Sequence, residues 1–209
     1  KNREDALKYI KIGDYACFAT TFSRFGDGLV KGKALDDRAG CAILMELLKN
    51  RYDCELVAVF TVQEEVGCRG AEVAVQRARP DLALVLEGTT ANDVPGVPEH
   101  KQVTCVGKGA AISVMDRGTI VRERLLAALK TCAEQNGVPY QFRRGALGGT
   151  DASMIHKALT GCASGGISVP CRYIHSPCSV AAIQDFKSAY RLADAFLRTK
   201  AFNEVLCHE

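Results

Sequence analysis

The sequence contains no tryptophan, and aromatic residues of every kind make up only 7% of it. Enzymes that cleave glycosidic bonds need paired carboxylates flanking a sugar-binding cleft. Such clefts are usually rich in aromatic faces, so the shortage argues against one. No apolar run is long enough to span a bilayer. No apolar stretch follows Lys1-Asn2-Arg3-Glu4-Asp5, so the start does not read as a signal peptide. An excess of one charge is also missing: 27 Lys and Arg stand against 24 Asp and Glu, a net +3. That balance is too weak to argue for nucleic acid or a membrane surface as a partner. There is no low-complexity tract, internal repeat or charge block. Ten cysteines are present, but no pair has the two-residue spacing of a zinc knuckle or a thioredoxin-type motif. Several, such as Cys41 and Cys162, lie in apolar stretches. They read as reduced, mostly buried thiols of a cytoplasmic protein, and not as a disulfide framework.

What is present suits one large domain of 209 residues, 47% of them hydrophobic. A short helix is expected over 4–10 and an extended, β-rich stretch over Ile12–Phe22. Asp37–Lys49 is a helix that is apolar nearly all round and should therefore be buried. Leu56–Val62 is a continuous apolar run of strand length, as in a central strand covered on both faces. Gly70–Arg79 is helical and ends at Pro80. Strands are expected at Leu82–Leu86, Ala110–Val114, Tyr140–Arg143 and Gly166–Val169. Helices are expected at Ile120–Gln135, closed by Asn136-Gly137, from Thr150 or Asp151 to Leu159, and at Gln184–Lys200. The alternation predicts an α/β fold with a mixed, largely buried central sheet and helices on both faces.

The acidic residues fall at informative places. Glu64-Glu65 follows the strand expected to end at Val62. Glu87 follows the strand expected to end at Leu86, and Asp36-Asp37 precedes a helix. His175 follows Cys171-Arg172-Tyr173-Ile174. In open α/β sheets, ligands bind beyond the carboxyl ends of the strands. Carboxylates gathered there repel one another unless something positive sits between them. Divalent metals are the economical answer, and oxygen and imidazole donors without thiolate suit zinc, cobalt or manganese. A single Glu-Glu pair after a strand is more often a solvated loop, and a lone His is more often not a ligand. The order of four such blocks in one chain weighs against that reading.

Those blocks are Lys33-Ala34-Leu35-Asp36-Asp37-Arg38-Ala39-Gly40, Gln63-Glu64-Glu65-Val66-Gly67-Cys68-Arg69-Gly70-Ala71, Gly148-Gly149-Thr150-Asp151-Ala152 and Arg172-Tyr173-Ile174-His175-Ser176-Pro177. Together they resemble the glutamyl-aminopeptidase or deblocking-aminopeptidase family, a zinc-exopeptidase-like group whose members build tetrahedral particles. Some members carry an endoglucanase label. The resemblance runs over nearly the whole chain. It implies hydrolysis of N-terminal residues from peptides with two divalent metal ions, zinc or cobalt, with manganese as a further candidate. Asp36 would bridge the metals, Glu65 and His175 would bind one and Glu87 the other. Glu64 would be the general base. Gly149, Thr150 and Asp151 would line the substrate site.

The sequence departs from that family in three places. The family's remaining metal ligand is a His in an upstream His-x-Asp segment, and none of the residues before Asp36 is His. The resemblance thus implies a catalytic domain over 1–209 that lacks the family's N-terminal segment and inserted β-rich assembly domain. It implies homo-oligomers for the full-length family and weaker assembly for this chain. A catalytically impaired remnant is the alternative this raises. Glu87 stands where many members have Asp, with Asp93 as the substitute ligand. Ser179 stands where many have Glu.

Overall fold

The computed structural model describes residues 2–206. Cys207, one of the ten cysteines, lies outside them. The elements in chain order are α1 (Arg3–Ala6), β1 (Ser23–Phe25), β2 (Leu29–Gly32), α2 (Leu35–Leu47), α3 (Arg69–Ala78), β3 (Leu82–Ala91), β4 (Ala110–Ser113), α4 (Glu123–Gln135), β5 (Tyr140–Arg143), α5 (Ala152–Ile155), β6 (Ala163–Arg172), β7 (Ser179–Ala182), α6 (Ile183–Arg198) and α7 (Asn203–Leu206).

The spine is β6, which is buried from Ala163 to Cys171. Its small residues leave room for cover on both faces. It runs parallel to β3 in full register, from Leu82 opposite Ala163 to Ala91 opposite Arg172. It is antiparallel to β4, which is parallel to β5. Beyond β7 the sheet continues antiparallel through β2 and β1. The sheet is therefore mixed, as the alternating pattern predicts. The helices form two groups, one in which α6 touches α2 and α4, the other of α3 and α5. The stripe Ser188, Ala189, Leu192, Ala193, Phe196 on α6 is buried at helical spacing, as is Leu125, Ala128, Leu129, Cys132 on α4.

Several expectations need correcting. Leu56–Val62 forms no strand among the described residues, and Leu56, Val57, Val59, Phe60 and Val62 are all exposed. The physical reason is the absence of a partner. A cavity of about 740 Å³ separates this stretch from β3, with residues 56–61 on one wall and 82–87 on the other. Helix α2 is consequently buried on one face only: Ala39, Gly40, Ile43 and Leu47 face inward, while Met45 and Leu48 are exposed. Ile12–Phe22 is not a strand and is largely exposed, and the first strands follow it at Ser23 and Leu29. Strand β3 runs on to Ala91, so Glu87 lies inside it and not after it. The helix at 150–159 shrinks to α5, one turn long, and α1 is shorter than expected. Strand β7 went unforeseen. No disulfide joins the described cysteines; Cys17 is exposed, and Cys68, Cys132, Cys162 and Cys171 are buried.

Asp185, in the first turn of α6, is fully buried. It accepts hydrogen bonds from the backbone N–H of Gly107 (2.6 Å) and Gly109 (2.8 Å). Burial outweighs those bonds and pushes its carboxyl up to about 6 from an ordinary 3.8. The folded state thus holds this proton more tightly than the unfolded one. The associated stability is fully present below the ordinary value and is lost as pH rises through about 6. Asp185→Asn cannot titrate. Between pH 4 and pH 7 the stability difference between wild type and this variant should move against wild type by about 2 kcal/mol. Denaturant melts at both pH values measure it, and a constant difference would refute the assignment.

Candidate metal centre

The chain leaves β2 and enters α2 through a kink. Ala34 is left-handed, Asp36 and Asp37 are non-helical, and the peptide between the two aspartates is cis. Two glycines let this corner sit on β3. A Cβ on Gly40 would lie 1.9 Å from the Leu86 carbonyl oxygen, and one on Gly88 would lie 2.9 Å from the Asp36 Cβ. Asp36 is therefore held against the strand that carries Glu87. Glu64 and Glu65 occupy the turn before α3, where the Glu64 carbonyl accepts from the N–H groups of Gly67 and Cys68. His175 sits in the loop from β6 to β7 with a positive φ.

These separate segments meet. His175 Nε2 lies 3.4 Å from Asp36 Oδ2 and 3.3 Å from Glu65 Oε2. One ligand atom from each of the three residues fits within 4.8 Å of the others. Glu87 is buried beside them, and burial, then the charges of Asp36, Asp37, Glu64 and Asp151, raise its carboxyl well above the ordinary range. Asp36 is raised by burial and by Glu65, with His175 acting in the opposite direction. Glu64 is pushed up to about 7 by burial and by Glu65, Asp151 and Asp36. The charges acting on these groups are mostly other carboxylates, so the cluster is short of positive charge.

A second group adjoins the first. Atoms of Glu64, Cys68 and Asp151 also lie within 4.8 Å of one another. The Cys68 thiol points at Glu64 Oε1 (3.7 Å), and Thr61 Oγ1 donates to Asp151 Oδ2 at 2.5 Å. Asp151 Oδ1 is buried and has no hydrogen-bond partner among the described residues. Thr150 is buried next to it, while Gly149 is exposed. The loop leading to them is pinned by Arg143, whose guanidinium donates to Thr89 Oγ1 (3.1 Å) and to the carbonyls of Met115, Gly145 and Leu147. Asp93 stands apart. Its oxygens accept from Arg172 (both at 2.8 Å) and from the Val106 N–H, which leaves it poorly placed as a substitute for Glu87.

The structure thus brings together Asp36, Glu65 and His175, with Glu87 buried alongside and Glu64 and Asp151 adjoining. Thr61, Cys68 and Arg143 escape a reading of the sequence. Only Cys68 carried a signal, four positions after Glu64. A hard or borderline dication fits this donor set: carboxylate oxygens that repel one another converge with one imidazole, and in the adjoining group the buried Asp151 Oδ1 has no hydrogen-bond partner among the described residues.

A family model for the M42 glutamyl aminopeptidases matches residues 1–192. The chain belongs to the M42 glutamyl aminopeptidase family. It is 40% identical over 194 residues to a protein of Acetivibrio thermocellus, a match covering 92% of this chain and 58% of that protein. Among solved structures it is similar to an aminopeptidase from the archaeon Desulfurococcus kamchatkensis, at 37% identity and a TM-score of 0.89. That match covers 94% of this chain and 56% of the other. It is also similar to an endoglucanase structure from Thermotoga maritima, at 33% identity and a TM-score of 0.77, covering 97% and 60%. The chain therefore spans less than two thirds of the length of each of these relatives. No helix among the described residues is long and apolar enough to cross a membrane.

Proposed function

We infer that this is the catalytic part of a metal-dependent aminopeptidase that removes N-terminal residues from peptides. The observation that carries the reading is the meeting of Asp36, Glu65 and His175 beside buried Glu87 and the raised carboxyl of Glu64. Asp36 would lie between two divalent metals, with Glu65 and His175 on one and Glu87 on the other. Zinc or cobalt suits the donors, with manganese as the third choice. Such ions, when bound, lower the pKa of a shared water and polarise the scissile carbonyl. Glu64 stays off the metals and takes the proton of the attacking water, then delivers it to the leaving amine. Asp151, its Oδ1 unpaired, and Thr150 with Gly149 form the wall where a substrate would rest.

The endoglucanase name of the Thermotoga maritima relative has less support, because this chain has no tryptophan and its carboxylates gather around a histidine. The exposed apolar residues between Leu7 and Phe25 are consistent with a homo-oligomer, one that assembles weakly from this chain alone.

Calorimetric titration with zinc or cobalt, paired with hydrolysis of leucine and glutamate anilides, tests the reading. Asp36→Ala should weaken metal binding at least about tenfold, and a chelator should stop hydrolysis until metal is restored. With one imidazole in the cluster, the 209-residue chain alone should hold fewer than two metals and hydrolyse poorly. Metal uptake unchanged by Asp36→Ala, or hydrolysis indifferent to the chelator, would sink the proposal.

A further inference from the structure

We propose that Glu64, Cys68 and Asp151 form a second cation site, selective for a thiophilic dication such as cadmium or zinc, whose occupation takes Glu64 out of use. The binding stands on the geometry of these three side chains. The loss of turnover that follows rests on the aminopeptidase reading.

The three residues come from two elements packed together. Glu64 and Cys68 meet across one turn, closed by a hydrogen bond from the Cys68 N–H to the Glu64 carbonyl at 2.9 Å. Cys68 immediately precedes α3 and Asp151 immediately precedes α5, and these two helices are in contact. One ligand atom from each of the three residues lies within 4.8 Å of the other two. Ser153 Oγ donates to the Cys68 sulfur at 3.8 Å, and Thr61 Oγ1 holds Asp151 Oδ2. Asp151 is only 7% exposed, and its Oδ1 has no hydrogen-bond partner among the described residues. A buried carboxylate oxygen without a donor points to an ion that completes it. The Cys68 thiol does not fill that role, because its proton is directed at Glu64 Oε1, at a long 3.7 Å.

The donor set differs in kind from the one around Asp36. Carboxylates and one imidazole converge there, whereas here a sulfur joins two carboxylates. Sulfur shifts the preference towards soft cations and away from manganese. Zinc bound tetrahedrally, at about 2.3 Å from sulfur and about 2.0 Å from a carboxylate oxygen, sets those donors roughly 3.5 Å apart. That is close to the 3.7 Å between Cys68 Sγ and Glu64 Oε1. Three protein donors leave the fourth position to water. On binding, the Cys68 S–H bond breaks, the proton leaves to solvent and a sulfur–metal bond forms, with no change in oxidation state. With its oxygen coordinated, Glu64 no longer accepts the proton of an attacking water, so the site is inhibitory.

Cadmium titrated into the 209-residue chain, followed by its ultraviolet sulfur-to-metal charge-transfer band, tests the binding. The other cysteines give a background, so the signal is the part that Cys68→Ser removes. Cys68→Ser and Asp151→Asn keep the side-chain shapes and should each weaken this cadmium site at least about tenfold. Asp36→Ala should leave it in place, and excess manganese should not displace the cadmium. A band indifferent to Cys68→Ser, or cadmium binding unchanged by Asp151→Asn, overturns the proposal. The consequence is read as kcat for a leucine anilide, in the form of the protein that hydrolyses it and already loaded with its catalytic metal. Cadmium should inhibit wild type at concentrations at least about tenfold below those that inhibit Cys68→Ser. Equal inhibition of the two would place the inhibitory cadmium elsewhere and overturn the proposal. A band lost in Cys68→Ser in a protein that hydrolyses no anilide would support the cation site while the peptidase reading fails, so the two are told apart.

Discussion

Glu64→Gln should keep its metal content and lose turnover by at least about a hundredfold, the usual scale for a missing general base. The substitution keeps the shape of the side chain and removes its ability to accept a proton. Glu64 is suited to that task by position. It is next to Glu65 in sequence, yet the atoms that gather with Asp36 and His175 are those of Glu65, while Glu64 faces Cys68 and Asp151. Its carboxyl, at about 7 with no cation beside it, would be drawn down by bound dications and be ionised at neutral pH. The measurement is kcat for a leucine anilide with metal analysis of the same sample, made in the form of the protein that hydrolyses the substrate. Near-normal kcat removes Glu64 from the mechanism. Loss of metal together with activity would make it a ligand instead.

Gly40→Ala should destabilise the fold by about 3 kcal/mol, at the upper end for overpacking. The added methyl would meet the Leu86 carbonyl oxygen at 1.9 Å, the Leu86 carbonyl carbon at 2.5 Å and Asp37 Oδ2 at 2.6 Å. Two of those atoms are backbone of the central sheet, so α2 has to lift away from β3. The gain in helix propensity from Gly to Ala, about 1 kcal/mol, is too small to offset this. Because Asp36 rides on the same corner, metal affinity should fall with stability. Gly149→Ala is the control. Nothing lies within 4 Å of its Cβ and its φ is not positive, so its melt should stay within about 0.5 kcal/mol of wild type. Equal melts for Gly40→Ala and wild type would disprove the close seating of α2 on β3.

Much of this was legible in the sequence. Helices α4 and α6 repeat their apolar residues at helical spacing, and β3, β4 and β5 are short apolar or alternating runs, so local periodicity was enough to mark them. The acidic blocks and His175 were also visible, because each abuts such a run. Hydrophobic pattern says which surfaces avoid water, but it does not say what covers them. Leu56–Val62 has the composition of a central strand and lies exposed, because a strand needs a hydrogen-bonding neighbour and here a cavity stands in its place. The end of a strand is set by its partner too: β3 runs five residues past Leu86 because β6 continues beside it, which moves Glu87 from a loop into the sheet. Thr61 and Asp151, 90 positions apart, and Arg143 and Thr89, 54 apart, meet only when the sheet is assembled. The sequence by itself determined the class of fold and the chemical types of the site. The tertiary structure decided which carboxylates lie together with His175, how deeply each is buried, and where the sheet lies open, because each of these depends on contacts between residues that local sequence does not relate.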